Sequence, residues 1–197
     1  MILPSLQYLA NELNRCGFDN PIDPVIELGN VARLDLETDA ASAGNQHKVL
    51  LTLVNIEEEK TLRNDPFYLR KADPVKGDQM IKRNPTLHIN LYVLISCADD
   101  YPKALGRLDK VIRYLQGKNV FTAATADPGD NYPEAVDKII LDLFSLNFEQ
   151  INHLWSILGG KYVPSVLYKM RLLPIQAGRT ETVGRVEEVR TDSNINN

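Results

Sequence analysis

Two segments decide the fold: "HKVLLTLVNI", residues 47–56, and "LHINLYVLIS", residues 87–96. Each is apolar at successive positions rather than at alternate ones. A strand with one wet face alternates, whereas a strand covered on at least part of both faces does not. The pair therefore predicts a sheet with helices packed on it. About 30 residues, 57–86, join the two strands and carry the turn signals "NDP", "DPVKGD" and "NPT". A loop of that length inside a compact domain is usually functional or disordered.

Working outward, Ile2, Leu6, Leu9 and Leu13 recur at helical spacing up to Gly17, which predicts an amphipathic helix over residues 3–15. Residues 25–37 read as a strand or an irregular hairpin around Gly29-Asn30, and residues 38–46 as a small, polar loop. After the second long strand, Tyr101, Leu105, Leu108, Ile112 and Leu115 form one helical stripe. Asp99 or Asp100 is placed to cap that helix, Pro102 lies in its first turn and Gly117 beyond its end. "NVFTAA" and residues 136–144 read as strands. "LNFEQINHLWSILGGKY" is the best-punctuated helix: Asn147 and Gln150 have capping-box spacing, Phe148, Ile151, Leu154, Trp155 and Leu158 form a stripe, and Gly159-Gly160 ends it. "PSVLYKMRLLPI" closes the pattern as a strand with Lys169 and Arg171 on one side and Tyr168, Met170 and Leu172 on the other. A basic row of that kind needs solvent or acidic partners, which suggests an edge strand. The fold class is α+β: a mixed, mostly antiparallel sheet carrying packed helices. Residues 1–176 read as one domain, and residues 177–197 as a polar, flexible C-terminal tail with few large apolar groups.

Composition narrows the function classes. A chain of 197 residues with 44% hydrophobic and 24% charged residues is long enough for an unstapled core. A net charge of −4 gives no global attraction to nucleic acid or anionic membrane. No basic leader opens the sequence, and the longest apolar run, "LYVLISCA", is too short to cross a bilayer. Cys16 and Cys97 lack CxxC spacing and fit reduced, structural thiols. The reading is a cytosolic product, with release inside a larger particle still open.

Motifs for chemistry are missing. "LGGKY" follows a helix, whereas a phosphate-binding loop precedes one, so Gly160-Lys161 reads as a helix end. His47, His88 and His153 have no metal-ligand spacing. No nucleophile elbow is present. Lys103, Arg107 and Lys110 share a helix face, but Asp99, Asp100 and Asp109 dilute it. The charged run that ends the first long strand, Glu57, Glu58 and Glu59, places the middle carboxylate opposite the other two on an extended chain, so the three do not share a pocket. With Lys60 and Arg63 beside them they read as a solvated, interacting rim. No cofactor is expected. An enzyme with a carboxylate site around Glu57–Glu59, and an adaptor or nucleic-acid-binding module, stand as the alternative classes.

Four stretches carry a resemblance: "LTLVNIEEEKTLRN" (51–64), "NPTLHINLYVLISC" (84–97), "YPKALGRLDKVIRYLQ" (101–116) and "NFEQINHLWSILGGKYVPSVLYKMRLLPI" (147–175). They resemble the cap, or tail-terminator, family of phage-tail-like contractile injection systems, over the chain to about residue 176. The resemblance implies a tail-terminator-like fold and a structural, non-enzymatic role. The protomer would form a ring, six-fold, at the baseplate-distal end, where it stops tube and sheath polymerisation and holds the last sheath layer. Its partners would be further copies of itself and the tube and sheath subunits. Some relatives carry an extra C-terminal domain, where this sequence has only the short tail. The interface residues expected on this reading are Glu57, Glu58, Glu59, Arg63 and Asn64, then Lys169 and Arg171, with Trp155 in the core.

Overall fold

The computed structural model describes residues 1–18, 25–33, 49–60, 67–71, 79–127, 129, 131–159, 162–176 and 180–185. Helix α1 (Ile2–Glu12) continues as a π-helical turn, Leu13–Gly17, somewhat beyond the predicted helix. The region expected as a hairpin begins with a short strand β1 (Ile26–Leu28) and a 3₁₀ turn at Val31–Arg33. Residues 34–46, and with them the predicted loop, lie outside the described residues. The two decisive segments are β2 (Val49–Glu58) and β5 (Leu87–Cys97), paired antiparallel. Between them lie β3 (Tyr68–Lys71) and β4 (Gln79–Arg83), so the expected loop carries a hairpin of its own. Then come α2 (Tyr101–Gly117), β6 (Val120–Thr122), β7 (Lys138–Leu143), α3 (Phe148–Ile157), β8 (Ser165–Ile175) and β9 (Thr180–Arg185).

Six strands form one sheet in the order β1-β2-β5-β8-β7-β6, parallel only between β1 and β2. This is the mixed, mostly antiparallel α+β architecture expected. One face is covered by α1 and α2: Leu9 and Leu13, Ala104 and Val111 pack on Val93 and Met170 in the main core. On the other face α3 covers only part of the sheet, where Trp155 joins Val31, Leu94 and Leu167. The apolar run of β2 follows from this. Val49 to Thr52 are buried, and the strand then emerges into solvent from Asn55 onward.

Several expectations differ from what is observed. The buried stripe of α2 is Ala104, Leu108, Val111 and Leu115, while Tyr101, Leu105 and Ile112 are exposed. The helix is rolled about its axis relative to the expected stripe. Asp100 holds its N-cap position without a side-chain bond, and Asp99 Oδ2 pairs instead with Arg107 Nη1 at 3.0 Å. Strand β8 is not an edge: it lies between β5 and β7. Within the stretch read as a C-terminal tail, Thr180–Arg185 form β9, which pairs with β4 in a second sheet, β3-β4-β9. The polar strand forms because β4 offers it a row of backbone groups, which need no apolar side chains to satisfy.

The punctuation of α3 matches its sequence. Asn147 accepts from the Gln150 N–H at 2.8 Å, and Gln150 returns the bond to the Asn147 N–H at 3.0 Å. Gly159, at φ 103°, ends the helix in the left-handed conformation that glycine tolerates. Phe148, expected in the buried stripe, is almost fully exposed.

Candidate assembly surface

The open half of the second sheet face gathers the charged residues. Pairing places Tyr92 opposite Lys169, and Lys169 opposite Asp142, so β5, β8 and β7 present them in one row. Glu57 enters from β2. Its Oε2 accepts from the Tyr92 hydroxyl at 2.8 Å and from Lys169 Nζ at 2.9 Å. The Lys169 ammonium also lies 5.3 Å from the centre of the Tyr92 ring, which stacks edge-on against Phe144. Next in the row, Arg171 Nε sits 2.7 Å from Asp142 Oδ2. That contact lies off the N–H axis, so it is an ion pair without a hydrogen bond. The basic residues on β8 thus find their acids on the adjacent β7 and, across β5, on β2, which is why an interior strand tolerates them.

The electrostatics favour permanent charge. Hydrogen bonds from Lys169 and then Tyr92 hold the Glu57 carboxyl below the usual glutamate range. The same bond with Glu57 raises Lys169. Burial, followed by the bond to Glu57, pushes the Tyr92 hydroxyl up. A general acid needs a raised carboxyl at neutral pH; Glu57 is shifted the other way. Glu59 accepts from the Asn90 amide at 3.0 Å, on the same side of the strand as Glu57. Glu58 points to the opposite side by strand alternation, so the three carboxylates do not converge. Arg63 and Asn64 lie outside the described residues.

Elsewhere the chemistry is sparse. A groove of about 260 Å³ between α3 and the sheet is lined by Leu94, Phe144, Trp155, Tyr162 and Leu167, among others, and its walls carry no carboxylate, imidazole or thiol. No group of three His, Cys, Asp or Glu side chains converges among the described residues. His153 is exposed on α3, His88 lies in β5, and His47 is outside the described residues. Cys97 is buried and free. On α2, Arg107 and Arg113 are ion-paired with Asp99 and Asp109, which weakens the basic face considered for nucleic acid. No helix among the described residues is long and apolar enough to cross a membrane.

Sequence reasoning selected Glu57, Lys169 and Arg171 but missed Tyr92, Asn90 and Asp142. Their roles depend on strand register, which the segments do not reveal one at a time. A second buried network also escaped it. Glu12 on α1 is fully enclosed, ion-paired with Arg15 and Lys118 and accepting from the Tyr114 hydroxyl at 2.6 Å. Arg15 continues the chain to Asp127 at 2.7 Å.

Comparison with known proteins agrees with the resemblance. No curated protein sequence matches. Among solved structures, the sheath/tube terminator of PVC, an extracellular contractile injection system, in its extended state superposes with a TM-score of 0.59 and 17% identity. The match covers 97% of this chain and 62% of the terminator chain. The anti-feeding prophage cap, a tube terminating cap, aligns at a TM-score of 0.49 and 18% identity over 80% of this chain and 50% of its own. The chain thus spans roughly half to three-fifths of the length of these structures. The profile of the Pvc16 N-terminal domain matches residues 6–188, nearly the whole sequence. The match runs past residue 176 and takes in β9. The chain belongs to the Pvc16 N-terminal domain family.

Proposed function

We propose that this chain acts as the cap of a contractile injection particle. It assembles as a ring, six-fold, at the baseplate-distal end, ends tube and sheath growth and holds the last sheath layer. The observation that carries the reading is the family match over residues 6–188. The fold shared with a sheath/tube terminator is consistent with it. The relatives are longer, so the terminator role is assigned here to a chain that spans part of their length.

The mechanism is steric and needs no reaction. A ring protomer uses two different, complementary patches to close head to tail, and an axial face to meet the tube and sheath. The ring supplies one docking face and no second, so the next layer finds nothing to add to. Glu57, Lys169 and Arg171 suit such a face because ion pairs hold them in place, and Glu59 because the Asn90 amide anchors it. Glu58, and by sequence Arg63 and Asn64, belong to the same rim. The protein would be made in the cytoplasm and leave it, if at all, as part of the particle.

Light scattering and negative-stain imaging of the purified chain, alone and with tube and sheath subunits, test the reading. Rings, or capped tubes of defined length, are expected. A strict monomer that neither binds the subunits nor limits their length would overturn it. An active enzyme would instead show turnover that Glu58→Gln abolishes while assembly persists.

A further inference from the structure

Helix α2 turns one side to the core and the opposite side to solvent. Ala104, Leu108, Val111 and Leu115 are buried. At about 3.6 residues per turn, Gly106 falls on the side away from that stripe, with Pro102, Lys103, Asp109 and Lys110 as its neighbours one turn before and after. All five are exposed. Gly106 lies inside a helix of 17 residues, where glycine gives away stability relative to alanine. Its own surroundings do not ask for it. Its backbone is not left-handed, and a Cβ placed on it would meet no described atom within 4 Å. Neither a turn nor internal packing calls for the missing side chain. The remaining use of a bare backbone position is close approach by another molecule.

Lys103 and Lys110 flank this bare position, about 10 Å apart along the helix axis. On its other flank Asp109 is held by Arg113 at 2.7 Å, and nearer the core Arg107 is held by Asp99 at 3.0 Å. Lys103 and Lys110 form no ion pair among the described residues. The Lys110 ammonium lies over the Phe18 ring, 5.6 Å from its centre, which keeps that charge at the helix surface. The outer side of α2 thus presents exposed backbone between two lysines. A protein segment that carries carboxylates fits it. Nucleic acid fits it less well, because Asp109 stays in the patch and the chain as a whole is at −4.

We infer that this side of α2 is a docking surface for a carboxylate-bearing segment of a neighbouring copy, which crosses the helix at Gly106 between Lys103 and Lys110. Charge singles out the copy. Residues 101–118 hold five basic residues and one acidic one in a chain of net charge −4, so the rest of the chain carries a net −8. Packing α2 on α2 would set like charges face to face, whereas packing α2 on the remainder of another copy sets opposite charges together. Such a contact joins two different surfaces, as ring closure requires. The inference rests on the reading of the chain as a ring protomer and places one side of the contact that closes the ring.

Gly106→Ala and Gly106→Leu separate docking from folding. With open space around the position, both are expected to keep or raise stability in thermal melts, Gly106→Ala by about 1–4 °C in Tm. Gly106→Leu is nonetheless expected to weaken self-assembly about tenfold or more by sedimentation, because its side chain holds the partner off the helix, and Gly106→Ala to weaken it less. A variant with Lys103→Ala and Lys110→Ala should also assemble more weakly, and its assembly should depend less on salt. If Gly106→Leu forms rings as tightly as the wild type, or if the two lysines can be removed without loss, the contact is wrong while the ring reading stands. A short DNA duplex is the further probe. Binding that needs the lysines, persists in Gly106→Leu and comes with unchanged self-assembly would assign the surface to nucleic acid and overturn the inference. If the wild type itself stays monomeric alone and with tube and sheath subunits, the ring reading fails and the contact falls with it.

Discussion

Glu12→Gln removes a charge from the seam between α1 and α2 while keeping the side chain's shape. Glu12 is fully enclosed and meets two cations and a phenol. Losing one partner of a buried ion pair costs about 3–5 kcal/mol, because a charge is left unmatched. Here the cations are not themselves sealed: Arg15 and Lys118 keep 34% and 33% of their side-chain exposure. Water recovers part of the loss, and glutamine retains one carbonyl oxygen for Tyr114. The expected destabilisation is therefore about 2 kcal/mol at neutral pH, or roughly 4–8 °C in Tm for a chain of this size. Urea denaturation across a pH series is the assay. Burial pushes the Glu12 carboxyl up, but hydrogen bonds from Lys118 and Tyr114 and the charges of Lys118 and Arg15 outweigh it, so the net shift is downward. A carboxyl lowered in the folded state contributes stability above its unfolded value, about 4.3, and that contribution is lost as pH falls through the folded value. The gap between wild type and variant should thus be full at pH 7 and close below about pH 4. A gap under about 0.5 kcal/mol at pH 7, or one that stays constant into acid, would refute the assignment of this network as a stabilising clamp.

Trp155→Ala, at a residue only 6% exposed in the smaller core, should cost about 3–4 kcal/mol in a denaturant titration and loosen α3 from the sheet. Asn147→Ala breaks the capping box and should cost about 1 kcal/mol, measured by thermal melting. Lys169→Ala should change stability by under about 1 kcal/mol, because its partner Glu57 remains half-exposed to solvent. NMR titration of the variant should find the Glu57 carboxyl closer to the ordinary glutamate value, since the Lys169 hydrogen bond is the largest cause of its lowering.

The parts of the fold legible in sequence are those set by local rules. Asn147 and Gln150 announced α3 because a capping box is made within four residues. The continuous apolar runs announced β2 and β5 because two-sided burial leaves no alternation to read. What escaped is set by distant partners. Apolar residues on α2 occupy a stripe wide enough for more than one roll, and the expected and observed stripes share Leu108 and Leu115. Tyr114 and Lys118 bind Glu12 from the flank away from Leu105 and Ile112, which draws α2 toward α1 and exposes those two. Likewise Lys169 and Arg171 suggested an edge because their acids, Glu57 and Asp142, come from strands far apart in sequence. The strand at residues 180–185 has no apolar signature, and only the edge of β4 selects it.

The three glutamates also sit where a second physical demand applies. Among the described residues β1 pairs with β2 only from Val49 to Leu51, and the rest of β2 has no further strand partner on that side among them. Open edges invite pairing with other chains, and natural sheets blunt them with charges and bulges. Strand β2 has both: a register shift between Leu53 and Asn55, then Glu57 to Glu59. Guarding the edge and docking a neighbour are compatible, and together they are more specific than either alone. The charges deny the edge to any strand that would extend the sheet without limit. They leave only contacts through side chains, the kind that a closing ring would use.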